Sequence, residues 1–118
     1  MIIAIDFDQT LHTAEWPLIG EPKPYAVHAL KTLKEEGHYL ILWTCREGQE
    51  LLAAVNWMCQ HEIPFDRVND NHPDMIKRHN CNSRKVYADL YIDDKQLHWV
   101  SDWELILARV HDRNHKKL

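Results

Sequence analysis

The chain lacks the features that would tie it to a disulfide framework, a membrane or a nucleic acid. Its three cysteines, Cys45, Cys59 and Cys81, are odd in number and show no paired metal-ligand spacing. That argues against a disulfide scaffold or a zinc site. It fits a reducing, cytoplasmic setting in which thiols act as small buried apolar groups. No apolar run approaches the ~20 residues a membrane helix needs, and no signal peptide is expected ahead of "MIIAID". The net charge is −4 and only "RNHKK" forms a short basic stretch. Without a positive field, nonspecific nucleic-acid binding is disfavoured. Nine histidines, His12, His28, His38, His61 and His72 among them, are scattered and read as surface or helix-end residues.

What is present fits a single domain over residues 1–118, a size that buries roughly two thirds of its unfolded surface. "IIAI" reads as a strand running into Asp6-Phe7-Asp8, and "LHTAEWPLIGEPKP" as a loop. Ala26, Ala29, Leu30 and Leu33 take helical spacing, with Gly37 placed to end the helix. "HYLILW" is a continuous apolar run, as expected of a strand covered on both faces. A second helix is predicted from about Gln49 to His61, with Leu51, Leu52, Val55, Met58 and Cys59 as its buried stripe. "FDRVND" holds a short strand, "DNHPDMIKRHNCNSRK" is irregular with one helical turn, and "YADLYIDD" is a strand ending in acid. A last helix opens on a capping box, Ser101 to Glu104, and buries Trp103, Ile106, Leu107 and Val110. This order predicts an α/β class: a three-layer Rossmann-like sandwich with a small, mostly parallel central sheet.

Parallel sheets bind ligands at the carboxyl ends of their strands. There the sequence puts Asp6 and Asp8, Thr44, and Asp93-Asp94. Residues i and i+2 of a strand point the same way, ~6.5 Å apart, so Asp6 and Asp8 can face one pocket while Phe7 turns to the core. If the strand ending at Asp93 lies beside the first, four carboxylates converge and need a cation. Oxygen donors without His or Cys point to Mg²⁺ over zinc.

"DFDQT" resembles the first motif of the haloacid dehalogenase (HAD) superfamily, the aspartate-nucleophile phosphotransferases, Asp-x-Asp-x-Thr. The hydroxyl residue ending "LILWT", a later lysine and the acidic pair ending "LYIDD" follow in that family's order, from residue 2 to residue 94. The resemblance is to members without a separate cap domain, and it implies a Mg²⁺-dependent phosphatase acting on a phosphorylated substrate. It makes Asp6 the nucleophile that forms an aspartyl phosphate. Asp8 becomes the acid that protonates the leaving oxygen and the base that activates water. Thr44 donates to a phosphoryl oxygen, and the helix start after "TCREG" (Cys45, Arg46) adds to anion binding. Lys85 balances charge, with Lys77 as the other candidate. Asp6, the Asp8 carbonyl and Asp93 hold Mg²⁺, while Asp94 holds a metal-bound water or lies behind the metal's ligands. Arg46 reads equally as a substrate contact or a solvated loop residue, Cys45 as buried, and Trp16 as core or pocket cover. The family usually has Gly where this chain has Gln9, so Gln9 either takes an ordinary conformation or reaches into the pocket. Without a cap the site is open, or is covered by another subunit in a homo-oligomer. Two competing functions are a phospho-acceptor signalling domain and a catalytically silent HAD-like binding module. In the first, the acceptor acid precedes the Thr, and that order disagrees with this chain.

Overall fold

The computed structural model describes residues 1–117, with side chains through His115. The elements are β1 (Ile2–Ile5), α1 (Ala26–Glu35), β2 (Tyr39–Leu42), α2 (Gly48–Gln60), β3 (Arg67–Val68), α3 (Pro73–His79), β4 (Leu90–Ile92) and α4 (Trp103–Lys117). The strands form one sheet in the order β3-β2-β1-β4, every neighbouring pair parallel. Among the described residues no helix is long and apolar enough to cross a membrane.

Crossover handedness explains the layers. The chain steps from β1 to β2 to β3 in one direction, so right-handed crossovers put α1 and α2 on one face. The step from β3 back to β4 reverses direction and carries its connection to the other face. Burial follows that division. Ile3, Ile5, Leu40 and Leu42 pack with the buried residues of α1, α2 and α4 in one large core. Ala4 and Ile41, facing the other way, pack with Val86 and Ala88. That second face has a thin cover, since α3 buries no side chain. Polar bonds hold it instead. Asn71 is buried; it donates to Asn82 Oδ1 at 2.9 Å and the Ser83 carbonyl at 3.0 Å, and accepts from the Tyr87 N–H at 2.7 Å. The result is a small three-layer Rossmann-like sandwich.

Four local expectations are corrected. The buried stripe of α2 is Ala54, Trp57 and Met58; Leu52 and Cys59 face solvent. Trp57 sets this rotation, because its ring meets Phe7 edge-on at 5.2 Å and its indole N–H donates to the Gly20 carbonyl at 2.9 Å. The segment read as irregular contains α3, seven residues with Pro73 in its first turn and His72 accepting from the Asp74 N–H. The cap of α4 is Asp102, whose carboxylate accepts from the Leu105 N–H at 3.1 Å, and not Ser101. All three cysteines are free and exposed. At the end of β2 the reason is local: Arg46 turns inward, so Cys45 turns out.

α4 is tied to the first motif through Trp103, which is 1% exposed and donates its indole N–H to the Thr10 carbonyl at 2.9 Å. Trp103→Phe keeps most of the ring and leaves that carbonyl without its donor. Urea unfolding is expected to show a loss of about 1–3 kcal/mol; an unchanged midpoint and slope would refute this role for the bond.

Candidate functional site

Strand register brings the acids together. Ile5 lies opposite Ile92, and the Asp6 N–H donates to the Ile92 carbonyl at 2.9 Å. The residues that follow, Asp6 and Asp93, therefore leave adjacent strands side by side. One carboxylate oxygen from each of Asp6, Asp93 and Asp94 lies within 4.8 Å of the other two. Thr10 joins this group from below and is fully buried. Its hydroxyl accepts from the Asp94 N–H at 2.9 Å and lies 2.8 Å from Asp6 Oδ2 and 3.3 Å from Asp94 Oδ1. A hydroxyl has one hydrogen, and the shorter distance assigns it to Asp6. Asp93 Oδ1 accepts the Lys95 N–H at 2.9 Å.

This crowding is expensive for Asp6. Burial first, then the neighbouring Asp94 and Asp93 carboxylates, push its pKa up to about 7 against the Thr10 hydrogen bond. Three hard oxygen donors that repel one another suit a hard divalent cation of the Mg²⁺ or Ca²⁺ class, because such an ion removes the repulsion that raises Asp6.

Asp8 has a different environment, and its side chain is not in the carboxylate cluster. Arg46 grips it with two bonds, Nε to Oδ2 at 2.8 Å and Nη2 to Oδ1 at 2.7 Å. Arg46 is 2% exposed, and its guanidinium carbon lies 5.1 Å from the Phe7 ring centre and 4.7 Å from that of Trp16. Burial alone would raise Asp8, but the Arg46 and His12 contacts outweigh it and hold the carboxyl below its ordinary value. His12 is fully buried. Its Nδ1 accepts from the backbone N–H groups of Ala14 at 3.1 Å and Gly20 at 3.2 Å. That ring nitrogen therefore carries no proton, so Nε2 holds the hydrogen and donates to Asp8 Oδ1 at 3.1 Å. Burial also lowers the His12 pKa, which keeps the ring neutral.

The remaining predicted residues divide. Thr44 stands at the same edge, just past β2, with its backbone N–H and carbonyl both bonded to the Asn69 amide. Its Oγ1 accepts from the Arg46 N–H at 3.1 Å, leaving its own hydrogen to donate. Arg46, read as a substrate contact or a solvated residue, is neither free nor solvated. Cys45 points to solvent. Lys85 lies with its ammonium 5.2 Å from the Tyr91 ring centre, and Lys77 is in the last turn of α3. The cation whose charge acts on Asp6 and Asp94 is Lys23, which the sequence reading missed. Lys23 is bonded to the Gln9 carbonyl and, at 2.9 Å, to the Ser101 hydroxyl. Gln9 takes neither expected course: it adopts φ +64° itself and donates its side-chain amide to the Ala14 carbonyl at 2.8 Å. That local bond offsets part of the ~1 kcal/mol a side chain loses in left-handed backbone. Trp16 is not core; it is 60% exposed. A separate groove of about 360 Å³ lies between β4 and α4, lined by residues including Tyr91, Trp99 and Arg109, and it does not include the acids.

The raised Asp6 pKa has a definite sign in stability. Between its ordinary value of 3.8 and about 7, the folded chain holds a proton that the unfolded chain has lost. The Asp6 contribution is therefore full below pH ~4 and declines as pH rises to ~7. In metal-free protein, the Tm of wild type minus that of Asp6→Asn is expected to fall from pH 4.5 to pH 8. Mg²⁺ should raise the wild-type Tm more at pH 8 than at pH 5, because ion and proton compete for the same oxygen atoms. Parallel pH profiles for the two proteins would refute this.

Comparison with protein-family models gave no match, and comparison with curated proteins gave none. Among solved structures, one described as that of a conserved protein coded by a locus of Bacteroides thetaiotaomicron superposes with a TM-score of 0.86. It is 40% identical and the alignment covers 96% of this chain and 91% of that one. With nearly the whole length superposed at that identity, the chain belongs to the same family as this conserved Bacteroides thetaiotaomicron protein.

Proposed function

We propose that the protein is a Mg²⁺-dependent phosphatase of the HAD type, hydrolysing phosphomonoesters through an aspartyl phosphate on Asp6. The observation that carries this reading is the meeting of Asp6, Asp93 and Asp94 within 4.8 Å, beside a separately held Asp8. Phosphoryl transfer needs alignment and charge neutralisation more than covalent help from the protein. Asp6, Asp93 and Asp94, with the Asp8 carbonyl, would hold Mg²⁺, which would supply the neutralisation when bound.

The chain's own groups do the rest. An Asp6 oxygen attacks phosphorus, forming the Asp6–phosphorus bond as the ester oxygen–phosphorus bond breaks. Thr10 holds the other Asp6 oxygen by its hydrogen bond, fixing the direction of attack. The Thr44 hydroxyl donates to a phosphoryl oxygen. Asp8, ionised against Arg46, takes a proton from the water that cleaves the aspartyl phosphate. Held low by Arg46, the carboxyl so formed releases that proton to solvent, and the proton that Asp8 gives to the leaving oxygen is one taken up when the phosphate dianion binds beside it. Lys23 adds positive charge on the nucleophile's side, and Lys85 remains the lysine of the family resemblance. Three exposed, unpaired thiols agree with action in the reducing cytoplasm.

Hydrolysis of 4-nitrophenyl phosphate should require Mg²⁺, stop with chelator, and fall ~10³-fold or more in Asp6→Asn, the loss expected for removing a nucleophile. Turnover that survives in Asp6→Asn would refute the assignment. A stable phosphoryl adduct without turnover would favour the phospho-acceptor reading.

A further inference from the structure

We infer that Trp16 is a stacking platform for the leaving group, so that the preferred substrates are phosphomonoesters carrying a planar aromatic ring, such as nucleoside monophosphates or aryl phosphates. This rests on the phosphatase reading, which puts the leaving oxygen beside Asp8. Asp8 is one guanidinium away from Trp16: Arg46 Nη2 is 2.7 Å from Asp8 Oδ1, and the Arg46 guanidinium carbon is 4.7 Å from the Trp16 ring centre. The indole therefore stands close enough to Asp8 for a ring carried by the leaving oxygen to reach it.

The ring is both open and fixed. Trp16 is 60% exposed, an unfavourable placement for so large an apolar group unless something covers it. The arginine against it is buried, and the same guanidinium donates to the Pro17 carbonyl at 3.1 Å. Four more bonds tie the surrounding loop: Gln9 to the Ala14 carbonyl, the Ala14 and Gly20 N–H groups to His12, and Trp57 to the Gly20 carbonyl. An exposed ring backed by a buried guanidinium and carried on so well-tied a loop leaves less ordering to cost when a ligand ring stacks on it.

The test has a turnover arm and a binding arm. In the first, kcat/KM is measured for adenosine monophosphate and phenyl phosphate against ribose 5-phosphate and glycerol phosphate. The ring-bearing pair should lead by ~10-fold or more, the size typical of base–aromatic stacking. Trp16→Leu should remove that lead and Trp16→Phe should keep most of it. The ratio is the readout, because any disturbance passed through Arg46 to Asp8 lowers all four substrates together. A lead confined to adenosine monophosphate and lost in Trp16→Leu assigns the platform to nucleotides, whereas a lead confined to phenyl phosphate that persists in Trp16→Leu reflects its better leaving group and overturns the platform. In the second arm, calorimetry on the Asp6→Asn protein compares adenosine monophosphate with ribose 5-phosphate. Tighter nucleotide binding that is lost in Trp16→Leu supports the platform. Equal ratios in wild type and Trp16→Leu overturn it while the phosphatase reading stands. Ring-dependent binding without any wild-type turnover would overturn the phosphatase reading and leave the platform in place.

Discussion

Carboxylates brought to one edge of a small sheet repel one another and resist leaving water, and the rest of the site is arranged around how that charge is met. The chain meets it in two ways. Asp8 receives a cation from within, because Arg46 is buried and makes two bonds to it. Among the described residues, Asp6, Asp93 and Asp94 receive no such cation at bonding distance. Lys23 acts on Asp6 and Asp94 through space while its ammonium is bonded to a carbonyl and a hydroxyl. The two carboxyls therefore differ in proton affinity, with Asp8 held low by Arg46 and Asp6 raised to about 7 by burial and its acidic neighbours. Asp8 is settled by the fold, and Asp6 is left for a proton or an ion.

A buried ion pair rarely stabilises a fold by much, since desolvation consumes most of the attraction. Removing one partner costs about 3–5 kcal/mol because the other charge is stranded. The Arg46–Asp8 pair is better read as a device for direction. Phe7 and Trp16 contact the guanidinium, and the neutral His12 ring fixes the remaining side of the carboxylate. Each of these groups constrains the next, so substitutions among Asp8, His12, Trp16 and Arg46 will not act additively.

Much of the frame was legible in the chain because it depends on local period and on strand ends. Alternating and continuous apolar runs located the strands, helical spacing located α1 and α4, and the acids at two strand ends marked the edge where Asp6, Asp93 and Asp94 meet. The pairing of Asp8 with Arg46 was not legible. The two residues are 38 positions apart, and a loop arginine in sequence gives no sign that it turns into the core. The role of Lys23 was hidden for the same reason, since its partners Gln9 and Ser101 lie far from it along the chain. The α2 stripe was misread because the leucines suggested one face, whereas a single long-range bond from Trp57 to Gly20 selected another. Gln9 shows the limit of a residue-type rule. Its φ of +64° is the backbone that Gly would supply, reached here with help from a side-chain bond.

The two ways of meeting charge also separate folding from chemistry. The large core beneath α1, α2 and α4 is apolar, and its connection to the site runs through Trp103 and the fully buried Thr10. Nothing in that connection needs an ion: Thr10 orders Asp6 and Asp94 with a hydroxyl and a backbone N–H. A cation at the acids would therefore act on a framework already set. Its binding energy would go into relieving Asp6 rather than into building the pocket. Such a site would not depend on the ion for its geometry, and in the proposed phosphatase reading it is the cancelling of the repulsion that would free an Asp6 oxygen to attack.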